Sequence, residues 1–181
     1  MKNDAIIFDL DGTLWDATKE VASVTGGTDV FQKLFPELSQ KDPDLINKID
    51  LYEELAIKKD GGTLFSGVAK IIPKLAKKYP LFIVSNCSEW YLEVFFEKSG
   101  LKKYFKDYDC FWRLKQNKSA MIKVLKEKYN LQKPVYVGDT LSDQKAAQEA
   151  NIDYIYAAYG FGKPMKPYKR HTMGVQVDLC K

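Results

Sequence analysis

The chain has 181 residues, which fits one domain with room for a small insert, and a core of that size needs no disulfide or zinc staple. Hydrophobic residues make up 45% and charged residues 29%, values that fit a folded globular protein and exclude a disordered one. Lys and Arg (28) against Asp and Glu (24) leave a net charge of +4, too mild to indicate nucleic acid by itself.

From the N-terminus, Ala5–Phe8 is a short apolar run bounded by acids and Gly, which reads as a buried strand. It is too short for a signal peptide. Residues 15–66 break the rhythm: Phe31, Leu34 and Phe35 form one helical stripe, and Leu45, Ile49 and Tyr52 another, so this stretch reads as a helical insert. Val68, Ile71, Ile72, Leu75, Ala76 and Tyr79 follow helical spacing up to Pro80. A second strand, Leu81–Val84, ends in Ser85-Asn86, and Tyr91, Val94 and Phe95 mark a helix closed by Gly100. Tyr108–Trp112 is a weaker strand candidate. A helix over about Ser119–Tyr129 follows, with Met121, Val124, Leu125 and Lys128 on one side. Val135–Val137 is a strand ending in Gly138-Asp139. Ala146, Ala147 and Ala150 mark a helix, and Tyr154–Ala158 a last strand. Strands alternating with helices predict an α/β fold, a Rossmann-like three-layer sandwich around a parallel sheet.

Polar residues follow directly on three of these strands: Asp9 and Asp11, Ser85 and Asn86, Asp139 and Asp143. In open parallel sheets ligands bind beyond the carboxyl ends of the strands. Four carboxylates brought to one edge repel unless a cation sits among them, and oxygen ligands suit a hard ion such as Mg²⁺, which also binds substrate phosphate. An Asp can act as nucleophile, and a second Asp two residues on as general acid and base.

Asp9-Leu10-Asp11-Gly12-Thr13, Ser85-Asn86 and Gly138-Asp139-Thr140-Leu141-Ser142-Asp143 resemble, in order, three motifs of the haloacid dehalogenase superfamily on its phosphatase side, near the phosphoglycolate phosphatase type. The resemblance implies a core of residues 1–14 and 67–181 and a small helical cap of residues 15–66, with Trp15 and Asp16 at its base. It implies Asp9 as nucleophile and Asp11 as acid and base. It further implies Mg²⁺ at Asp9, Asp11, Asp139 and Asp143, with Asp11 contributing its main-chain carbonyl and Asp143 orienting the others. Ser85 and the backbone around Leu10, Thr13 and Asn86 would bind phosphate. The family's lysine is assigned to Lys118, with Lys115 as the rival.

A phosphatase acting on a small phosphorylated metabolite is therefore expected, with a β-phosphoglucomutase-like mutase as the alternative and a non-catalytic phospho-ligand-binding protein behind it. A monomer or weak dimer is expected, with neither nucleic acid nor membrane as partner. Three widely spaced cysteines, Cys87, Cys110 and Cys180, without an export signal point to the cytoplasm, and with His171 as the single histidine a Cys/His zinc site is excluded. Cys87 reads as a buried filler and His171 as part of a basic surface tail over Lys163–Arg170. Tyr159-Gly160-Phe161-Gly162 reads as a turn at the site's edge.

Overall fold

Ala5–Phe8 is apolar at every position because both of its faces are covered. The computed structural model describes residues 3–24 and 36–162. Its first half runs β1 (Ala5–Phe8), β2 (Trp15–Asp16), α1 (Thr18–Val24), α2 (Pro36–Lys41), α3 (Pro43–Asp60), β3 (Thr63–Leu64), α4 (Val68–Ala76) and β4 (Leu81–Ser85). The second half is α5 (Glu89–Ser99), β5 (Asp107–Cys110), α6 (Phe111–Leu114), α7 (Lys118–Lys128), β6 (Pro134–Gly138), α8 (Leu141–Glu149) and β7 (Asp153–Tyr156). The stripe of Phe31, Leu34 and Phe35, the basic stretch with His171, and Cys180 lie outside the described residues.

Five strands form one parallel sheet in the order β5-β4-β1-β6-β7. Phe8 sits opposite Ile83 on one side and Val137 on the other, so β4 and β6 flank the central strand in step. Side chains alternate between two apolar layers. Ile6, Phe8, Ile83 and Val137 pack with Val68 and Ile72 of α4 and Leu92 and Phe95 of α5. Ile7, Phe82, Val84 and Tyr136 pack with Met121, Ile122 and Leu125 of α7 and Ala146 and Ala147 of α8. Each fully buried side chain of this size contributes roughly 1.5–3 kcal/mol. The result is the three-layer α/β sandwich that the alternation of elements predicts.

Helix ends are set locally. Asp42 caps α3 by accepting from Leu45 N at 3.2 Å, and Gly100 ends α5 in a left-handed conformation, its N–H on Phe96 O at 3.0 Å. Asn117 accepts from Ala120 N at 2.9 Å and so starts α7 with Lys118 in its first turn.

Residues between β1 and α4 leave the sheet. β2 and β3 pair antiparallel, Trp15 opposite Leu64, where the chain departs and returns. Between them α3 packs on α1 and α5, and Lys98 of α5 donates to Lys59 O at 2.9 Å.

Several boundaries and faces differ from expectation. Tyr108–Trp112 is not one strand: β5 stops at Cys110 and the chain turns into α6. On α7 the buried stripe is Lys118, Met121, Ile122 and Leu125, while Val124 is 41% exposed. On α3, Ile49 and Ile57 face inward, and Tyr52 is 59% exposed. The helix from Val68 ends at Ala76, before Tyr79 and Pro80.

Candidate active site

β1 is where the sheet order branches, since β4 lies on one side and β6 on the other, and a crevice opens at such a point. Asp9 follows β1 directly and is buried, its N–H on Val137 O at 2.8 Å. Leu10 O then accepts from the N–H groups of Thr13, Leu14 and Trp15 at 3.2, 2.8 and 3.1 Å. This turn needs Gly12 at φ 74°. Ser85, buried, ends β4 on one side of Asp9, and Asp139 follows β6 on the other.

Each charged group is held from a second direction. Lys118 Nζ lies 2.9 Å from Asp9 Oδ1 and 2.6 Å from Asp143 Oδ1, all three side chains buried. It also sits over the ring of Tyr136, 5.8 Å from its centre. Asp143 Oδ2 accepts from Thr140 Oγ1 at 2.7 Å, Thr140 N at 2.9 Å and Asp139 N at 3.2 Å, which makes the capping box of α8. Asp139 Oδ2 accepts from Phe161 N at 2.8 Å and Gly162 N at 3.0 Å. Tyr154 donates to Gly138 O at 2.8 Å and pins the start of this loop.

Burial dominates the electrostatics. It pushes Asp9 up to about 7, Lys118 opposing and Asp143 adding to the rise. Burial also pushes Asp11 up to about 6, against the hydrogen bond from Tyr91. Asp139 is raised as well, again by burial, against the N–H groups of Gly162 and Phe161. For Lys118 burial works against the charge, yet the carboxylates of Asp9 and Asp143 outweigh it and hold the ammonium above its ordinary value.

The donors fit a hard cation. Carboxylate oxygens of Asp9, Asp139 and Asp143 lie within 4.8 Å of one another. Asp139 Oδ1 is buried without a hydrogen-bond partner, an arrangement that is costly unless a cation or donor arrives. Asp143 has partners on both oxygens, so it is better placed to orient than to ligate. Asp11 does not join the cluster with its carboxylate, which accepts from the Tyr91 hydroxyl.

The sequence profile of the family "Haloacid dehalogenase-like hydrolase" matches residues 17–157. The chain belongs to the haloacid dehalogenase-like hydrolases. Comparison with curated proteins finds no match. Among solved structures, a haloacid dehalogenase-like family hydrolase from Streptococcus pneumoniae superposes with a TM-score of 0.71 at 22% identity, covering 89% of this chain and 87% of that one. A predicted phosphoglycolate phosphatase from Haemophilus somnus gives 0.74 at 19%, covering 90% and 88%. A predicted phosphatase from Clostridium acetobutylicum gives 0.71 at 19%, covering 90% and 88%. At these identities the likeness is one of fold.

Within this haloacid dehalogenase-like hydrolase, Asp9, Ser85, Lys118, Asp139 and Asp143 come together, while three other candidates do not all reach the cleft. Thr13 is fully buried, and its Oγ1 has no hydrogen-bond partner. Leu10 is core, leaving only its backbone for binding. Asn86 is exposed and borders, with Phe111, Asn117, Lys118, Ser142 and Lys145, a cavity of about 500 Å³. Lys115 ends α6 as an exposed residue with a left-handed backbone, away from the position Lys118 takes. Trp15 is a core side chain. Cys87 is half-buried, and burial raises its thiol.

Sequence reasoning missed Tyr91; it read the turn holding Phe161 and Gly162 as the site's edge, but not their N–H groups as donors to Asp139. Tyr91 reads as one more apolar position of an amphipathic helix. The Gly160-Phe161-Gly162 turn carried a signal, because a Cβ on Gly160 would stand 2.4 Å from Asp139 Cβ.

Among the described residues, no helix is long and apolar enough to cross a membrane.

Proposed function

We propose that this hydrolase is a Mg²⁺-dependent phosphomonoesterase that passes a phosphoryl group through Asp9. One observation carries the reading: a buried lysine lies 2.9 Å from the first carboxylate, and Asp139, which has a buried oxygen without a hydrogen-bond partner, belongs to the same carboxylate cluster. A nucleophile beside a fixed positive charge, with carboxylate oxygens placed to hold a metal ion, is what phosphoryl transfer requires.

Asp9 attacks phosphorus through Oδ2, which carries no hydrogen bond among the described residues, while Lys118 holds Oδ1. The bond from phosphorus to the leaving oxygen breaks, and that oxygen takes the electron pair and a proton from Asp11. Water then attacks the phosphoaspartate and gives a proton to Asp11. The bond to Asp9 breaks, and inorganic phosphate leaves. Ser85 and backbone N–H groups near Leu10 and Asn86 bind phosphoryl oxygens. Bound Mg²⁺, at Asp9, Asp139 and the Asp11 carbonyl, supplies positive charge for the substrate phosphate.

The substrate we infer is a small phosphorylated metabolite, and residues 15–66 are its lid, with the chain working as a monomer or weak dimer. Free Cys87 and Cys110 suit the reducing cytoplasm. The test is phosphate release from sugar phosphates, phosphoglycolate, nucleotides and an aryl phosphate, with Mg²⁺, with EDTA and with Asp9→Asn. Release that needs Mg²⁺ and vanishes in Asp9→Asn supports the reading. No release from any compound, or phosphate moved within a sugar and not lost to water, overturns it, the latter in favour of a mutase.

A further inference from the structure

We propose that Tyr91 and Trp15 are positioning residues that fix which oxygen of Asp11 carries the transferable proton, an inference that rests on the phosphatase reading above. The argument is one of hydrogen-bond direction. Indole Nε1–H is a donor and never an acceptor. Trp15 Nε1 lies 2.9 Å from the Tyr91 hydroxyl, so that oxygen accepts. Tyr91 then has one proton to give, and Asp11 Oδ1 is its partner. An oxygen that receives this proton cannot also present one along the same line. Neutral Asp11 therefore holds its proton on Oδ2, the oxygen that accepts no hydrogen bond among the described residues.

The arrangement is rigid from both ends. Trp15 is tied back to the turn that bears Asp11: its N–H donates to Leu10 O at 3.1 Å and its O accepts from Gly12 N at 3.1 Å. Its ring meets Tyr91 edge-on at 6.4 Å and Phe95 at 5.4 Å, and both Trp15 and Tyr91 are buried. Tyr91 rides on α5, which packs on the sheet beside β4. The general acid is thus held by a chain of hydrogen bonds that starts at a buried indole in the core. Trp15 also opens the insert, through β2, so the same indole sits where the chain leaves the core domain.

The experiment compares kcat/KM for phenyl phosphate and 4-nitrophenyl phosphate in the full-length protein with Mg²⁺. The two esters are alike in shape, but the phenol leaves poorly unless protonated, while nitrophenolate leaves unaided. kcat/KM reports the step that expels the leaving group, whatever the rate of phosphoaspartate hydrolysis. In Tyr91→Phe, phenyl phosphate is expected to lose at least about tenfold more than 4-nitrophenyl phosphate, within the range of general acid catalysis. Trp15→Phe, which keeps the tyrosine but frees its direction, is expected to lose in the same sense by a smaller factor. If Tyr91→Phe does not fold, Trp15→Phe carries the test alone. Equal losses on both esters, or none, overturn the assignment and reduce the pair to packing. A wild-type protein that hydrolyses neither ester is a different failure, that of the phosphatase reading itself.

Discussion

A Cβ built on Gly12 would stand 2.2 Å from Oδ2 of Asp139, the oxygen that Phe161 and Gly162 hold with their N–H groups. Backbone and carboxylate meet there with no space for a methyl group, and Gly12 also has φ 74°. Gly12→Ala therefore displaces Asp139 as well as straining the turn. Phosphate release should fall by about 100-fold or more, the scale set by misplacement of about 1 Å at a reacting centre. The thermal stabilisation given by Mg²⁺ should disappear with it. A variant that Mg²⁺ stabilises as much as the wild type would show that Asp139 has kept its place.

Lys118 compensates two buried carboxylates at once. Lys118→Met keeps the volume and removes the charge, leaving Asp9 and Asp143 facing each other. Breaking a buried pair in this way costs about 3–5 kcal/mol. The loss should be greatest at pH 8, where Asp9 is ionised, and smaller at pH 5, below the value of about 7 to which burial raises it. Urea unfolding at the two pH values reads the difference. Equal losses would mean that Asp9 is not the partner that matters.

The raised carboxylates give the metal-free protein a defined pH dependence. Asp9, lifted to about 7, and Asp11, lifted to about 6, bind protons more tightly folded than unfolded. Their contribution is present at pH values below the ordinary 3.8 and is lost as pH rises through 6 and 7. The melting temperature in EDTA should therefore drop between pH 5 and pH 8, by roughly 5 °C for a loss of about 2 kcal/mol in a chain of this size. Mg²⁺ should restore most of it at pH 8 and little at pH 5. Asp9→Asn should flatten the slope, and an unchanged slope in that variant would remove Asp9 as its source.

Much of this was legible because β1, β4 and β6 are buried on both faces and so read as unbroken apolar runs, each ending in the residue that the sheet delivers to the crevice. Asp9, Ser85 and Asp139 stand at those ends. Faces of helices were harder to read. Val124 and Ile122 are equally apolar, and the position of α7 between β4, β5 and α8 decides which of them is inside. Tyr52 follows the helical spacing of Ile49 but lies just beyond the arc that α1 and α5 cover. Main-chain donors such as Phe161 N leave no trace in residue type. The tyrosine on Asp11 is invisible for another reason, since its ring satisfies the apolar pattern while its hydroxyl serves the site.

Thr140 links α8 to the carboxylate cluster. Its Oγ1 accepts from Asp143 N at 3.1 Å and donates to Asp143 Oδ2 at 2.7 Å. Thr140→Val keeps the shape and removes both bonds, which should lower stability by about 1 kcal/mol, the usual value of a helix cap. The larger effect should fall on Mg²⁺. Asp143 fixes Lys118 through Oδ1, so a loosened Asp143 lets the lysine shift against Asp9, and the half-saturating Mg²⁺ concentration for phosphate release should rise about 10–100-fold. Thr140→Ser keeps the hydroxyl and should stay near wild type. Should Thr140→Ser weaken Mg²⁺ as much as Thr140→Val, the methyl group against its neighbours, and not the bond to Asp143, is what holds the cluster in register.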